Sequence, residues 1–185
     1  MRRNRYLDFI LLCKRLNNIK RYSVFNKFCS QSVSEHTFLM TIIAMQLGEI
    51  ERGLGKKLDM AKLLICSLFH DIPESISGDI IYDFKISKKG FIKEIENMEI
   101  KEIKNKLKNF KFLESFVHLY SKCKDNSLEG QIVSIADVIE PYFYVSDEIK
   151  MGNKEFNKIK KVCIKIIKKC NLESVKIFFK GICEI

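Results

Sequence analysis

His36, the His70-Asp71 pair and Asp137 are the residues of this chain whose types and setting point to chemistry. Each has an ordinary explanation when taken alone, since a histidine in the first turns of a helix is commonly a hydrogen-bonded structural residue. Asp137 is harder to explain that way. It interrupts the apolar run "IVSIADVIEPY", where a buried carboxylate needs a cation or several donors. His70-Asp71 ends another apolar run, Ala61 to Phe69, and Glu74 and Asp79 follow within nine residues. Consecutive helical residues diverge by about 100°, so His70 and Asp71 reach one ion only near a helix end. A shared divalent cation would relieve the desolvation of all four groups. Two imidazoles with two carboxylates form a set of intermediate hardness, suited to Mn²⁺, Co²⁺ or Fe²⁺, with Zn²⁺ or Mg²⁺ as substitutes, one ion per chain. Such an ion would lower the pKa of a bound water. Glu74, four residues after His70, comes beside it if the backbone stays helical through Pro73.

These residues must be positioned by helices, because the apolar spacing is helical almost throughout. The first helix is predicted at 3–17, with Tyr6, Phe9, Ile10, Cys13 and Leu16 on one face. Ser32 and Glu35 form a capping box that announces a helix over 33–52, before Gly53 and Gly55. Asp59 caps a helix over 60–70, and an acidic connector with Pro73 and Gly78 follows. Ser87 starts a helix to 108, another covers 111–123, and 128–150 is helical with a kink or break expected at Pro141. A lysine-striped helix comes after Gly152-Asn153, and a last one covers 172–182. No strand pattern persists. The expected fold is all-α, a single-domain helical bundle over 1–185, with a core over about 5–157 and C-terminal helices over about 153–182.

Composition removes several classes. At 185 residues and 46% apolar content, one domain with a real core is expected. No apolar stretch reaches the roughly 18 residues of a membrane span. Asp8, Lys14 and Arg15 interrupt the apolar N-terminal patch and no small-residue cleavage site follows, so it reads as an amphipathic helix rather than a signal peptide. The seven cysteines (Cys13, Cys29, Cys66, Cys123, Cys163, Cys170 and Cys183) include no C-x-x-C pair. They read as reduced core thiols of a cytoplasmic protein. The net charge of +10 is concentrated in 150–185. There Lys150, Lys154, Lys158, Lys161, Lys165 and Lys168 form one stripe opposite Phe156, Ile159, Cys163, Ile166 and Cys170. A solvated helix face accounts for the stripe, and a surface for anionic ligands is the alternative. No nucleic-acid motif accompanies it.

The pattern His36…His70-Asp71…Asp137 resembles the ligand set of the HD superfamily of metal-dependent phosphohydrolases. "SVSEHTFLM", "LFHDIPESISGDI" and "IADVIEPYFYVSDEIKMGNKEF" are similar to stretches of the bacterial HD-domain 5'-deoxynucleotidases, over residues 5 to 157. The acidic pair of guanosine tetraphosphate hydrolases is absent, since Ser75 follows Glu74. So are the extra histidine motifs of triphosphohydrolases and cyclic-dinucleotide enzymes, and His118, among apolar neighbours, reads as structural. The resemblance implies that His36, His70, Asp71 and Asp137 bind the metal and that Glu74 and Asp79 are catalytic. It also implies that Arg21 contacts the substrate phosphate and that Tyr22, where relatives often carry a larger aromatic, shapes the sugar pocket. The implied activity is hydrolysis of deoxynucleoside 5'-monophosphates by a homodimer. The alternatives are another nucleotide or small phosphate ester on the same scaffold, or a non-catalytic basic module for nucleic acid. A pure binding module has no use for His36, His70, Asp71, Asp137 and Glu74 together. The apolar run Tyr142 to Val145 offers more surface than one core face needs, which agrees with a dimer.

Overall fold

The computed structural model describes residues 4–81, 90–108, 110, 112–123 and 125–180. Their secondary structure is helical, with one isolated antiparallel bridge between Lys20 and Ser32. Helix α1 (Arg5–Lys14) starts where the Asn4 side chain accepts the Tyr6 and Leu7 N–H groups, and it tightens into a 3-10 turn at Arg15–Asn17. α2 (Val33–Gly53) begins with the expected capping box. Ser32 Oγ accepts the Glu35 N–H at 3.2 Å, and the Ser32 N–H is accepted by Glu35 Oε2 at 2.6 Å. Asp59 caps α3 (Met60–Phe69), as its sequence context predicts. Then come α4 (Glu74–Ser77), α5 (Phe91–Lys106), α6 (Phe112–Tyr120), α7 (Leu128–Lys150), a 3-10 turn at Lys154–Phe156, α8 (Asn157–Lys169) and α9 (Glu173–Phe178). The predicted start at Ser87 and the end of the last helix at 182 lie outside the described residues.

The main core is the seam where α2, α3, α7 and α8 pack, filled by Met40, Leu47, Leu63, Ile132, Ile139 and Ile167, with α9 against α2. Gly48 permits the close approach of α2 and α3, because a Cβ there would sit 2.6 Å from Leu63 Cδ2. A second cluster of Leu12, Leu16, Val33, Ile72, Ile103 and Phe116 joins α1 and α5 to the other side of the site. The first helix is partly rotated from its expected face. Phe9, Cys13 and Leu16 pack on the second cluster as expected and Leu12 joins them, whereas Tyr6 and Ile10 are exposed.

Three further expectations change. Pro141 neither breaks nor interrupts α7. A proline inside a helix costs about 3 kcal/mol. Burial of Ile139, Tyr142 and Val145 around it, at roughly 1.5–3 kcal/mol for each fully buried side chain, outweighs that loss. The lysine stripe is not one helix, since Lys150 closes α7 and Lys154 lies in the 3-10 turn. The Tyr142–Val145 run is consumed within the chain: Tyr142 meets Phe179 edge-on, Phe143 stacks on Phe179, and Tyr144 stacks on Tyr22. No described helix is long and apolar enough to cross a membrane. The six described cysteines are free thiols, and Cys183 lies outside the described residues. His118 is exposed on α6 and, among the described residues, belongs to no group that could hold a metal ion.

Candidate metal centre and substrate cavity

His36 comes from the first turn of α2, His70 caps α3, Asp71 follows it, and Asp137 lies mid-α7. One donor atom from each lies within 4.8 Å of all the others. His36 Nε2 is 3.2 Å from Asp137 Oδ1 and 3.5 Å from Asp71 Oδ2. His70 Nε2 is 3.1 Å from Asp71 Oδ2 and 3.6 Å from Asp137 Oδ1. Both imidazoles are held from behind. His70 Nδ1 meets the Ser67 carbonyl at 2.7 Å, and His36 Nδ1 meets Glu140 Oε2 at 2.5 Å. An acceptor on Nδ1 places the proton there and leaves Nε2 facing the carboxylates, the usual support of a metal-binding histidine.

The donor set fits a divalent cation. His70 Nε2 is buried and makes no hydrogen bond of acceptable geometry, despite two carboxylates nearby. Burial opposes a charge on His70, but Asp71 and Asp137 outweigh it and carry the imidazole pKa up to about 10. Burial likewise opposes charge on Asp71, and His70 and His36 hold it well below the usual carboxylate range. A field strong enough to keep a proton on a buried imidazole is one that favours a cation.

The centre forms the floor of a cavity of about 960 Å³. His36 is fully buried behind it, while His70, Asp71 and Asp137 line it together with Arg21, Tyr22, Glu74 and Asp79. All eight residues singled out in the sequence therefore meet in one place. α5 lines the cavity with Ile92 and Ile95 beside Glu96 and Glu99, and α8 with Ile159, Val162 and Ile166 beside Lys158. Lys158 alone of the striped lysines borders the cavity; Lys154, Lys161, Lys165 and Lys168 face solvent.

Glu74 reaches the cavity by tighter turns than an α-helix. The Glu74 N–H bonds to the Asp71 carbonyl and the Ser75 N–H to that of Ile72, which carries the chain past Pro73 into α4. Gly78, at φ 80° and ψ 174°, then turns the chain so that Asp79 faces the site. That backbone conformation is open in practice to glycine alone. Asp79 Oδ2 accepts the Tyr22 N–H at 3.3 Å. Tyr22 has φ 52°, uncommon for a bulky residue, and its ring is gripped by Tyr144 in parallel and Phe156 edge-on. Strained backbone over-determined by packing is a common feature of binding sites. Arg21 is 16% exposed. Burial works against its charge, but Tyr22, Glu140, Asp71 and Asp137 raise its pKa above the ordinary value.

Two residues of the site escaped the sequence reading. Glu140 is completely buried and accepts from His36, from Arg21 Nη1 at 3.3 Å and from Gln31 Nε2 at 2.5 Å. Glu148, also buried, accepts the N–H groups of Phe28 at 3.0 Å and Cys29 at 2.7 Å and so ties the loop bearing Arg21 to α7. Their signal was available: Asp137, Glu140, Tyr144 and Glu148 fall at spacings of 3, 4 and 4, a polar stripe along an otherwise apolar helix.

Comparison with known proteins gives the chain's relatives and its fold. The 4'-phosphooxetanocin A phosphatase of Priestia megaterium is 32% identical over 148 residues, which cover 79% of this chain and 75% of that protein. A 5'-deoxynucleotidase of Dictyostelium discoideum is 32% identical over 161 residues, 84% of this chain and 83% of its own. The crystal structure of an HD-domain phosphohydrolase from Listeria innocua matches with a TM-score of 0.86 at 28% identity, over 96% of this chain and 87% of that one. The sequence profile of a family described as "5'-deoxynucleotidase YfbR-like" matches residues 8–185. With its all-helical fold and its His36, His70, Asp71 and Asp137 centre, the chain belongs to the YfbR-like 5'-deoxynucleotidase family.

Proposed function

We propose that this chain, acting as one domain, is a metal-dependent phosphomonoesterase that converts deoxynucleoside 5'-monophosphates to nucleoside and inorganic phosphate. The observation that carries this reading is the group of two buried histidines and two half-buried aspartates bordering a cavity that also presents the half-buried Arg21. The names of the relatives, a 5'-deoxynucleotidase and a phosphatase, support the same chemistry. His36, His70, Asp71 and Asp137 would hold one divalent cation, with Mn²⁺, Co²⁺ or Fe²⁺ the best match to their hardness. When bound, such an ion supplies Lewis acidity toward the phosphoryl group and lowers the pKa of water.

The rest belongs to the chain's own side chains. Arg21 offers a planar fork suited to bidentate phosphate binding. Glu74 and Asp79, which line the cavity, would move protons, one taking a proton from the attacking water and the other giving one to the leaving 5' oxygen. Tyr22, fixed by Tyr144 and Asp79, shapes the sugar pocket, and the apolar side chains that α5 and α8 contribute to the lining offer a surface for the base. The cavity is at the roomy end of the roughly 300–1,000 Å³ typical of small-molecule sites. That room supports a second reading in which another phosphate ester is the substrate. A cytoplasmic homodimer completes the proposal. With the Tyr142–Val145 run used internally, the exposed Tyr6, Leu7, Ile10 and Leu11 of α1 are the surface that supports a second copy, and light scattering at micromolar concentration checks it.

The test is phosphate release from a panel of deoxynucleoside and ribonucleoside 5'-monophosphates and simple phosphate esters, with Mn²⁺ or Co²⁺ and with chelator. Metal-dependent release favouring the deoxynucleotides is expected. Release from other esters alone selects the second reading, and no release from any substrate overturns both.

A further inference from the structure

Glu140 is a fully buried carboxylate that touches both halves of the proposed site. It stands three residues after Asp137 on α7, and its donors come from the α2 terminus and from the loop between Lys20 and Ser32. His36 Nδ1 and Arg21 Nη1 meet the same oxygen, Oε2, so the position of one constrains the other. Gln31 Nε2 holds Oε1, and the Arg21 N–H bonds the Gln31 carbonyl at 2.9 Å, which fixes the loop that carries the guanidinium. A carboxylate buried this deeply is costly unless its lone pairs are satisfied. Here the satisfying donors are an imidazole of the metal centre and the arginine assigned to phosphate.

We propose that Glu140 is a positioning residue that couples the two: it orients His36 Nε2 toward the cation and turns the free edge of Arg21 toward the substrate phosphate. The inference rests on the functional reading above and goes beyond it, since Glu140 faces neither metal nor substrate. Accepting from Nδ1 fixes the His36 tautomer. Glu140 engages Nη1 and not Nη2 or Nε, and Arg21 lines the cavity. Cation affinity and phosphate affinity should therefore both depend on a residue that contacts neither ligand.

Glu140→Gln tests this with little change of shape. Gln31 Oε1 is buried and has no hydrogen-bond partner, so a turn of the Gln31 amide can accept the new NH₂ group while the carboxylate charge is lost. In the full-length protein, Mn²⁺ affinity measured by chelator competition should fall about 10- to 100-fold, the usual scale for a lost outer partner of a metal-binding histidine. Inorganic phosphate should inhibit the Mn²⁺-saturated variant more weakly than it inhibits the unmodified protein. In an Arg21→Ala background, Glu140→Gln should still weaken Mn²⁺ binding but cost no further phosphate affinity. Should E140Q not fold, Gln31→Met removes only the Nε2–H donor to Glu140 Oε1, and both affinities should fall by smaller factors. A shift in melting temperature with both affinities unchanged makes the residue structural and overturns the proposal, as does a fully additive effect of R21A and E140Q on phosphate. An unmodified protein that takes up no Mn²⁺ overturns the functional reading itself, and the coupling with it.

Discussion

Replacing Arg21 by alanine is the sharpest probe of where the substrate phosphate sits. The side chain is 16% exposed and 3.3 Å from the buried Glu140, and it lines the cavity beside Asp71 and Asp137. A phosphate contact made at this depth is charge-assisted and only weakly screened, so its loss should cost at least about 2 kcal/mol, or roughly thirtyfold in kcat/KM. Arg21→Lys should recover only part, because an ammonium cannot reproduce the fork. Lys154 and Lys161 are exposed and act through a field with a Debye length of about 8 Å. Neutralising both should change kcat/KM by no more than about twofold, the scale of a screened charge worth ~0.5 kcal/mol. Lys158, at the cavity rim, should fall between these limits, with an effect that fades as salt is added. Steady-state kinetics at low and moderate ionic strength decide the matter. An Arg21→Ala protein within about threefold of normal, beside a crippled Lys154/Lys158/Lys161 variant, would place the phosphate elsewhere and refute the reasoning.

Glu74→Ala should keep metal and nucleotide while losing roughly 10²- to 10⁴-fold in rate, read by single-turnover kinetics and metal analysis; loss of metal would make Glu74 a ligand. Glu148→Gln concerns pH. Burial resists the Glu148 charge, but the Cys29 and Phe28 N–H groups and Asn153 hold its pKa below the ordinary 4.5, so its contribution is present above that value and lost as pH falls through the folded one. The unmodified protein should exceed E148Q by about 1.5–3 kcal/mol in urea melts near pH 7, and the gap should close below about pH 4.5. A pH-independent gap refutes this. Phe116→Ala, which empties a fully buried position between α1 and α3, should destabilise by about 3–5 kcal/mol in the same melts while leaving Mn²⁺ affinity near normal.

The helices were legible where local rules decide. Ser32 with Glu35, Asp59 and the apolar spacing of 128–150 depend on neighbours within one or two turns, and those boundaries agree with the structure to within a residue or two. The four metal-binding candidates were legible because histidines and aspartates in apolar helix are hard to justify singly. Glu140 and Glu148 were not recognised, because the partners that tie them to the site, Arg21 and Phe28 among them, lie more than 100 residues away in the chain. Pro141 misled for a related reason. Its local penalty is visible in sequence, whereas the packing that overrides it comes from the core around Ile139 and Val145. The rotation of α1 has the same origin: an apolar helix with more than one usable face is oriented by the cluster it meets, here Ile103 and Phe116.

The central claim is that His36, His70, Asp71 and Asp137 act together as one cation site, and metal content tests it most directly. Elemental analysis of purified protein, reloaded with Mn²⁺ and desalted, should give one ion per chain, with His70→Ala and Asp137→Ala each retaining little metal and no phosphatase activity. Full occupancy in both variants would contradict the account.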